Sequence, residues 1–513
     1  MRRIGVDVGG TNTDAVLVDT DRVLAAVKRP TSEDVTSGIV SALTALLDEL
    51  GGDPGGLDAV VIGTTHFTNA VVQRRDLEHI GALRIGLPSG AALPPFADWP
   101  KDLANHVRGS VIMVEGGHEY DGRPFMPLNE SDIHQAAKRF QDEGIDSVAI
   151  SAVFSPLTPE CEDRAAEILR EVSPDIKLTL SHNLGRVGLL ERENAALLNA
   201  SLRRLAESTT LAFTEALDTS GIEAPLYMTQ NDGTVMRADQ AESFPVYSFS
   251  SGPTNSMRGA AHLSGLNDAM VVDVGGTTTD IGHLKAGFPR EANTVVEIGG
   301  VRTLFRMPDL LSIGLGGGSL VDTEHYTVGP VSVGYGLTTE ALVFGGDQLT
   351  ATDVGVAAGL SKIGSAPPSA DSIDEVVVSW AMDRIHEMIE VNVDRMKVDA
   401  LPIPLIAVGG GAFLVPGSIS GISEVIRLEH GGVANAVGAA IAQVSGEVDQ
   451  VFSGLGREEA LERASGIARD RAIAAGADRE HLRVVDVEDL PLAYLPGDAR
   501  RVRVKVVGET VSN

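Results

Sequence analysis

Two near-identical polar segments lie far apart in the chain. Residues 7–14 read DVGGTNTD and residues 273–280 read DVGGTTTD, so they differ only at Asn12 and Thr278. Each segment follows a short apolar run and leads into another, a pattern that predicts a strand, a tight turn and a second strand. A turn alone does not require the Thr and Asp positions to recur, so the repeat indicates a shared chemical task.

The residue types in this repeat suit a phosphate group. Paired glycines let backbone N–H groups approach an anion with no Cβ in the way, and threonine hydroxyls add donors. The predicted phosphate contacts are Gly9, Gly10, Thr11, Thr13 and Asp14 in the first copy, and Gly275, Gly276, Thr277, Thr278, Thr279 and Asp280 in the second.

Asp7 and Asp273 open the two copies. A carboxylate at this position could hold Mg²⁺ through water or orient an attacking group. We therefore predict that Asp7 and Asp273 are both the catalytic residues and the magnesium contacts. Which of them acts as base and which holds the metal stays open.

Two further glycine-rich segments follow apolar runs. Gly409, Gly410 and Gly411 end a predicted buried strand, where bare backbone could accommodate a flat nucleobase or ribose; a plain turn is the alternative. The segment 312–319 has neither P-loop nor GxGxxG spacing, so substrate contact and structural turn are equally open for it.

Segments 63–72 and 430–440 are both glycine-led, rich in small residues and contain an Asn-Ala pair. Small residues let helix backbones approach closely, so we expect these two segments to form paired helices at a domain interface. Thr65, His66 and Asn69 in the first segment are candidate substrate contacts. A core or capping role is the alternative for His66.

The spacing of the repeat sets the organisation of the 513-residue chain, because copies that start 266 residues apart predict two large related domains facing each other. Low aromatic content (4%) with 57 glycines favours α/β layers. We place the domains at 1–185 and 186–450, with 451–513 as a small C-terminal α+β segment.

Composition excludes several function classes. A formal charge of −30 argues against nucleic-acid binding, which needs clustered Lys and Arg. No run of about 18 apolar residues occurs, so no membrane-spanning helix is predicted. Asp7 interrupts the short apolar stretch after Arg3, so no signal peptide is predicted either. The single cysteine, Cys161, excludes a disulfide within the chain. We expect a cytoplasmic protein.

In combination these motifs resemble the hydantoinase A/oxoprolinase family of the actin-like, sugar-kinase and heat-shock-chaperone ATPase superfamily. The matching segments are 5–14, 62–70, 181–182, 191–192, 199–200, 250–253, 272–282, 312–319 and 407–412.

The resemblance implies two actin-like (ribonuclease H-like) α/β domains with a nucleotide cleft between them. It implies ATP and Mg²⁺ as cofactors, and ATP-dependent activation of a cyclic amide such as a hydantoin, oxoproline or lactam. Phosphorylation of the carbonyl oxygen would make the ring carbon electrophilic.

The chain also departs from the family pattern. It ends soon after the core and lacks the usual cysteine-containing, proline-rich stretch near 335–353, which leaves the substrate and independent catalysis open. The expected partners are a small cyclic amide, a hydantoinase B-like or other partner subunit, and further copies of this chain in a homo-oligomer. A small-molecule kinase and a non-catalytic, ATP-driven regulatory subunit are the alternative functions.

Overall fold

The computed structural model describes residues 1–9, 12–31, 35–52, 54–184, 187–292, 296–303, 305, 307–364, 373–493 and 497–510. Gly10 and Thr11, two of the predicted phosphate contacts, lie outside the described residues. Numbered along the chain, the strands are β1 Arg2–Val8, β2 Asn12–Asp19, β3 Arg22–Pro30, β4 Ala59–Thr64, β5 Ile80–Leu87, β6 Arg108–Glu115, β7 Ser147–Ala152, β8 Lys177–Leu180, β9 Leu226–Thr229, β10 Thr234–Arg237, β11 Ala269–Val274, β12 Thr279–Lys285, β13 Phe288–Pro289, β14 Val296–Ile298, β15 Val301–Thr303, β16 Leu310–Ile313, β17 Ser319–Asp322, β18 Thr327–Ser332, β19 Ile403–Val408, β20 Ile422–Arg427, β21 Gln443–Phe452, β22 Arg483–Pro491 and β23 Arg500–Gly508.

The α-helices are α1 Val35–Glu49, α2 His66–Gln73, α3 Lys101–Val107, α4 Glu130–Asp142, α5 Glu160–Val172, α6 Leu189–Thr219, α7 Ala238–Ser243, α8 Ser251–Ser264, α9 Leu337–Glu340, α10 Ala351–Ala357, α11 Glu375–Met396, α12 Ala434–Ala440 and α13 Arg457–Ala474. None of the described helices is long and apolar enough to cross a membrane.

The first motif copy lies in a mixed sheet in the order β22-β23-β21-β10-β9-β4-β1-β2-β3. Strand β1 is central: it pairs antiparallel with β2 and parallel with β4, and it is buried from Arg3 to Val8. Burial on both faces explains why it reads as a nearly continuous apolar run.

The second copy lies in another mixed sheet, in the order β13-β12-β11-β19-β20, with β16 also pairing with β12. Here β11 pairs antiparallel with β12 and parallel with β19, which matches the arrangement of β2, β1 and β4. The predicted hairpins are therefore confirmed in both copies, and the two halves share one local topology.

Helices α8 and α12 cross tightly between the two sheets. A Cβ on Gly259 would lie 1.8 Å from the Ala434 carbonyl oxygen, and one on Gly438 would lie 1.9 Å from the Asn255 carbonyl oxygen. Helix α12 also packs on β1, where a Cβ on Gly5 would lie 2.1 Å from the Ala436 oxygen. The expected pairing of segments 63–72 and 430–440 is thus corrected: the close partner of α12 is α8.

The C-terminal strands extend the first sheet. Strand β23 lies between β21 and β22, and α13 covers one face of this part through a row of buried alanines. Strands from all three predicted ranges, 1–185, 186–450 and 451–513, share this sheet. The three-way division of the chain stays a prediction.

Candidate active site

Asp7 is a buried carboxylate at the carboxyl end of β1. Its Oδ2 accepts a 2.6 Å hydrogen bond from the Asn435 amide at the start of α12. Its Oδ1 has no hydrogen-bond partner in the part of the chain that the structure describes. Burial, reinforced by the charge of Asp14, raises the pKa of Asp7 to about 7.

Asp14 faces Asp7 directly across the hairpin. Its two oxygens accept hydrogen bonds of 2.6 and 2.7 Å from Lys28 Nζ, and Lys28 lies opposite Asp14 on β3. Burial raises the pKa of Asp14, and the Lys28 ammonium opposes that shift. One half of the site is therefore two carboxylates held near a single cation.

The second hairpin repeats the facing pair with Asp273 opposite Asp280. Burial raises the pKa of Asp273, against a hydrogen bond from Ser256. Burial also raises the pKa of Asp280 to about 6, although the Ser312 hydroxyl donates to its carboxylate. In the second half the Ser312 hydroxyl therefore occupies the position opposite Asp280 that Lys28 occupies opposite Asp14.

The two hairpins are close enough to act on each other electrostatically. The charge of Asp273 raises the pKa of both Asp7 and Asp14, and the charge of Lys28 lowers that of Asp273. The two hairpins start 266 residues apart in sequence, but their aspartate carboxylates lie close together in the fold. Like charges brought together out of water favour a cation between them.

The turns of the two hairpins are built alike. Gly9 N–H donates to the Asn12 carbonyl at 3.0 Å, and Gly275 N–H donates to the Thr278 carbonyl at 2.9 Å. Thr277 and Thr278 are exposed at the tip of the second turn. Their hydroxyls and the neighbouring backbone are accessible to an anion.

Thr13 and Thr279 occupy equivalent positions, and both are fully buried. The Thr279 hydroxyl donates to the Leu315 carbonyl at 2.6 Å, and the Thr13 hydroxyl lies 3.4 Å from that of Thr31. Strand alternation turns both side chains inward. Their placement does not support the expectation that they donate to phosphate.

The glycines at 409–411 lie against the second hairpin. A Cβ on Gly409 would lie 2.3 Å from Asp273 Oδ1, and Gly411 N–H donates to the Val274 carbonyl at 2.8 Å. Among the described residues, no atom beyond its chain neighbours lies within 4 Å of the Cβ position at Gly410. The loop therefore borders Asp273 and has open space at its middle glycine.

The glycines at 316–318 support the same turn from the other side. Gly317 N–H donates to the Gly275 carbonyl at 2.9 Å, and Gly318 N–H donates to the Gly276 carbonyl at 2.7 Å. These two amides are already engaged, which favours the structural alternative for this segment.

Helices α2 and α8 begin side by side near the first hairpin. The Thr65 methyl lies 3.7 Å from the Cβ position of Gly252, and the Thr65 hydroxyl accepts a 3.2 Å bond from the Asn69 amide. His66 is half-buried, and burial lowers its pKa, so its neutral form is favoured. Thr65, His66 and Asn69 thus share one helix start, and their substrate role stays a prediction.

Polar atoms without partners cluster between α8 and Asp7. Within the described residues, Ser251 Oγ, Asn255 Oδ1 and Asp7 Oδ1 are buried and make no hydrogen bond. A Cβ on Gly63 would lie 2.7 Å from the Asn255 amide nitrogen and 2.9 Å from Asp7 Oδ1. Buried oxygens with no donor require water or a ligand.

The carboxylates do not form a direct metal cage. No group of three or more His, Cys, Asp or Glu side chains in the described ranges is arranged to hold a metal ion. The unpartnered Asp7 Oδ1 instead fits a water bound to Mg²⁺, which would donate to it. This donor set is compatible with the predicted water-mediated magnesium site.

The chain matches the sequence profiles of two neighbouring protein-family regions. The profile of the hydantoinase/oxoprolinase N-terminal region matches residues 3–173, and that of hydantoinase/oxoprolinase matches residues 192–363. Together they cover more than half of the chain. The chain belongs to the hydantoinase/oxoprolinase family.

Two relatives are subunits of larger enzymes. Caprolactamase subunit alpha of Pseudomonas jessenii is 26% identical over 433 residues, which are 78% of this chain and 61% of the relative. The acetophenone carboxylase gamma subunit of Aromatoleum aromaticum is 27% identical over 396 residues, 69% of this chain and 53% of the relative. The chain therefore spans only about half to three fifths of these relatives' length.

The fold has a close solved counterpart. The structure of the ATP-dependent caprolactamase from Pseudomonas jessenii superposes with a TM-score of 0.78 at 20% identity, covering 99% of this chain and 87% of that chain. This likeness confirms the predicted α/β fold with actin-like domains.

Lys28, Asn435 and Asn255 contact or border the site but were not predicted as site residues from the sequence. Ser312, which donates to Asp280, opens the segment 312–319, for which substrate contact and structural turn were both open. Lys28 could have been found by extending the register of the first hairpin to the next apolar strand. Asn435 lies in a segment whose Asn-Ala pair was noted, but its contact with Asp7 joins positions 428 residues apart.

Proposed function

We propose that this protein is the ATP-binding part of an enzyme that activates a cyclic amide, such as a hydantoin or a lactam, for ring opening. The observation that carries the proposal is the pair of facing hairpins, with Asp7 and Asp14 on one and Asp273 and Asp280 on the other. ATP, when bound, would supply the phosphoryl group that converts the amide oxygen into a leaving group.

The residues of this chain would bind and orient the phosphates. The exposed Thr277 and Thr278 and the turn glycines would contact phosphate oxygens, and Asp7 and Asp273 would hold hydrated Mg²⁺. Lys28 limits the repulsion between these carboxylates and an incoming anion because it neutralises Asp14 at 2.6 Å. Gly410, with open space beside it, leaves room for the adenosine end.

The first prediction concerns MgATP binding measured by titration calorimetry. Asp7→Asn and Asp273→Asn preserve side-chain shape but remove the charge that holds the cation. We expect each to raise the Kd for MgATP at least tenfold, about 1.4 kcal/mol or more. Asp470→Asn, at an exposed residue of α13, is the matched control and should bind as the wild type does.

A folded wild-type protein that binds no MgATP would contradict the nucleotide site itself. If MgATP binds, ATP hydrolysis is then measured with hydantoin and ε-caprolactam, with and without a candidate partner subunit. A stable phosphorylated product would favour a small-molecule kinase over a ring-opening enzyme.

A ketone is the second candidate substrate class. The 27% identity with an acetophenone carboxylase subunit favours it, since a ketone oxygen can be phosphorylated in the same way. Stimulation of ATP hydrolysis by acetophenone, but by neither cyclic amide, would select this alternative.

A further inference from the structure

A cavity of about 750 Å³ opens beside the proposed phosphate site and is not formed by the hairpins. Its walls come from the turn after β7, the turn after β9, the region of α7, strand β21 and the end of α13. The volume is typical of a small-molecule site, about 300–1,000 Å³.

The cavity lies at the same end of the first sheet as Asp7. Asp7 pairs with Gly63 on β4, and Thr229 on β9 lies on the far side of Gly63. Neighbouring strands are about 4.8 Å apart, so Thr229 is roughly 10 Å from Asp7. The next residues, Gln230 to Asp232, form a wall of the cavity.

This wall is also joined to the cluster of unpartnered atoms near Asp7. The Asn255 amide donates to the Thr229 hydroxyl at 3.1 Å, and the Thr254 hydroxyl donates to the Asn231 carbonyl at 3.0 Å. The first two turns of α8 therefore border Asp7 on one side and support the cavity wall on the other.

The carboxylates in the wall already have cationic partners behind them. Glu447 accepts from Arg503, Asp449 from Arg501, and Asp232 pairs with Lys505, each at 2.6 Å. The three cations occupy alternate positions of β23 and so share one face of the sheet. We call these three pairs the charge ladder.

The other charged groups of the wall are also engaged. His182 contacts the buried Glu162 at 2.9 Å, and Arg471, exposed at the rim, donates to the Glu447 carbonyl at 2.6 Å. The cavity therefore offers little unbalanced charge to a ligand. A buried charged ligand would lack a counterion there.

Neutral polar groups and rings make up much of the remaining wall. Within the described residues, the side-chain amides of Gln230, Gln240 and Gln450 make no hydrogen bond, so each can both donate and accept. Phe244, Tyr247 and Phe305 add aromatic surface for an apolar ring.

We propose that this cavity binds the uncharged cyclic amide, with the glutamine amides pairing with the ring C=O and N–H. The inference rests on the proposed function and gives its substrate a place. A cyclic amide offers both an acceptor and a donor, whereas a ketone offers only an acceptor, so the wall favours the amide. The charge ladder disfavours a ring that carries its own carboxylate.

The test measures binding directly, by ligand-observed NMR on the full chain with hydantoin, ε-caprolactam, acetophenone and 5-oxoproline. Ala474→Trp narrows the cavity from an exposed position at the end of α13, and Leu157→Trp does so from the turn after β7. Arg469→Trp, exposed on α13 outside the cavity, is the matched control. Thermal melts verify that each variant is folded.

We expect hydantoin or ε-caprolactam to bind the wild type and the control alike, and at least tenfold more weakly to each blocking variant. MgATP binding should be the same in all four proteins. Equal binding to the wild type and both blocking variants would overturn the site. Binding of none of the amides, or preference for 5-oxoproline or acetophenone, would overturn the ligand class.

Failure of the proposed function gives a different pattern. A cyclic amide that binds in the cavity but never stimulates ATP hydrolysis, even with a partner subunit, would support the site and contradict the activity.

Discussion

At the scale of single residues, the unusual feature is a buried carboxylate whose ionisation is opposed by its surroundings. Asp7 has one oxygen bonded to Asn435 and the other without a partner in the described structure. Its pKa of about 7, against an ordinary value of 3.8, means that the folded protein keeps this proton where the unfolded chain has lost it.

The upward shift of the Asp7 pKa determines how stability depends on pH. The stability that comes from protonated Asp7 is fully present below pH 3.8 and is lost as the pH rises to about 7. Asn at this position is neutral throughout. Without metal or nucleotide, the free energy of unfolding of Asp7→Asn relative to the wild type should therefore rise by about 1.4 kcal/mol per pH unit between pH 5 and 7.

Urea unfolding of both proteins in EDTA at pH 5, 6, 7 and 8 measures this difference. The difference in unfolding free energy between Asp7→Asn and the wild type should grow up to pH 7 and then level off. The difference between Asp470→Asn and the wild type should not change with pH. A difference between Asp7→Asn and wild type that does not vary with pH would contradict the assigned environment of Asp7.

The sequence predicted only part of this environment. Asp7, Asp14, Asp273 and Asp280 were found because the motif recurs, and the facing of each pair follows from antiparallel register. Lys28 and Asn435 were missed because their positions depend on a third strand and on a helix from the other end of the chain. Thr13 and Thr279 were expected at the phosphates but point inward.

At the scale of elements, the decisive contact is the crossing of α8 and α12. Small residues in 430–440 correctly indicated close helix packing, but such residues do not specify the partner, and the predicted partner was wrong. At the crossing, Gly259 and Gly438 each face backbone of the opposite helix, with less than 2 Å available for a Cβ. Such contacts tolerate no side chain without moving a helix.

Gly438→Ala tests this crossing. The added Cβ would force α12 away from Asn255, and the substitution should lower stability by about 2 kcal/mol or more. Because Asn435 on α12 holds Asp7, MgATP binding should weaken as well. Gly466→Ala is the matched control. Gly466 lies inside α13, and no described residue outside its own helix turn comes within 4 Å of its Cβ position, so the substitution should stabilise the protein by about 0.5–1 kcal/mol.

Thermal denaturation and calorimetry of the two variants separate these effects. Equal melting temperatures for Gly438→Ala and the wild type would show that α8 and α12 are too far apart for an added Cβ at position 438 to reach the Asn255 carbonyl oxygen.

At the scale of the whole molecule, the C-terminal strands tie distant parts together. The sequence indicated a β-like tail but could not place it, because strand order in a mixed sheet depends on pairings between remote segments. Arg503 on β23 is 1% exposed and bonds Glu447 on β21, Asp486 on β22 and, at 3.2 Å, Glu291. Glu291 follows β13, the edge strand of the second sheet, so this one guanidinium links both sheets.

Arg503→Met should therefore weaken the contact between the C-terminal strands of the first sheet and the segment after β13 of the second sheet. The apolar side chain fills similar volume but removes the cation shared by four carboxylates, those of Glu291, Glu447, Asp486 and Glu488. We expect a loss of about 2–4 kcal/mol, less than for a fully buried ion pair because the carboxylates are partly exposed. Hydrogen exchange followed by mass spectrometry should show faster exchange in β21 to β23 and also in β13.

Arg384→Met, which removes an exposed pair with Glu387, should change neither region. Faster exchange confined to the C-terminal strands would mean that Arg503 holds the first sheet alone, and that the two sheets are joined through the α8–α12 crossing.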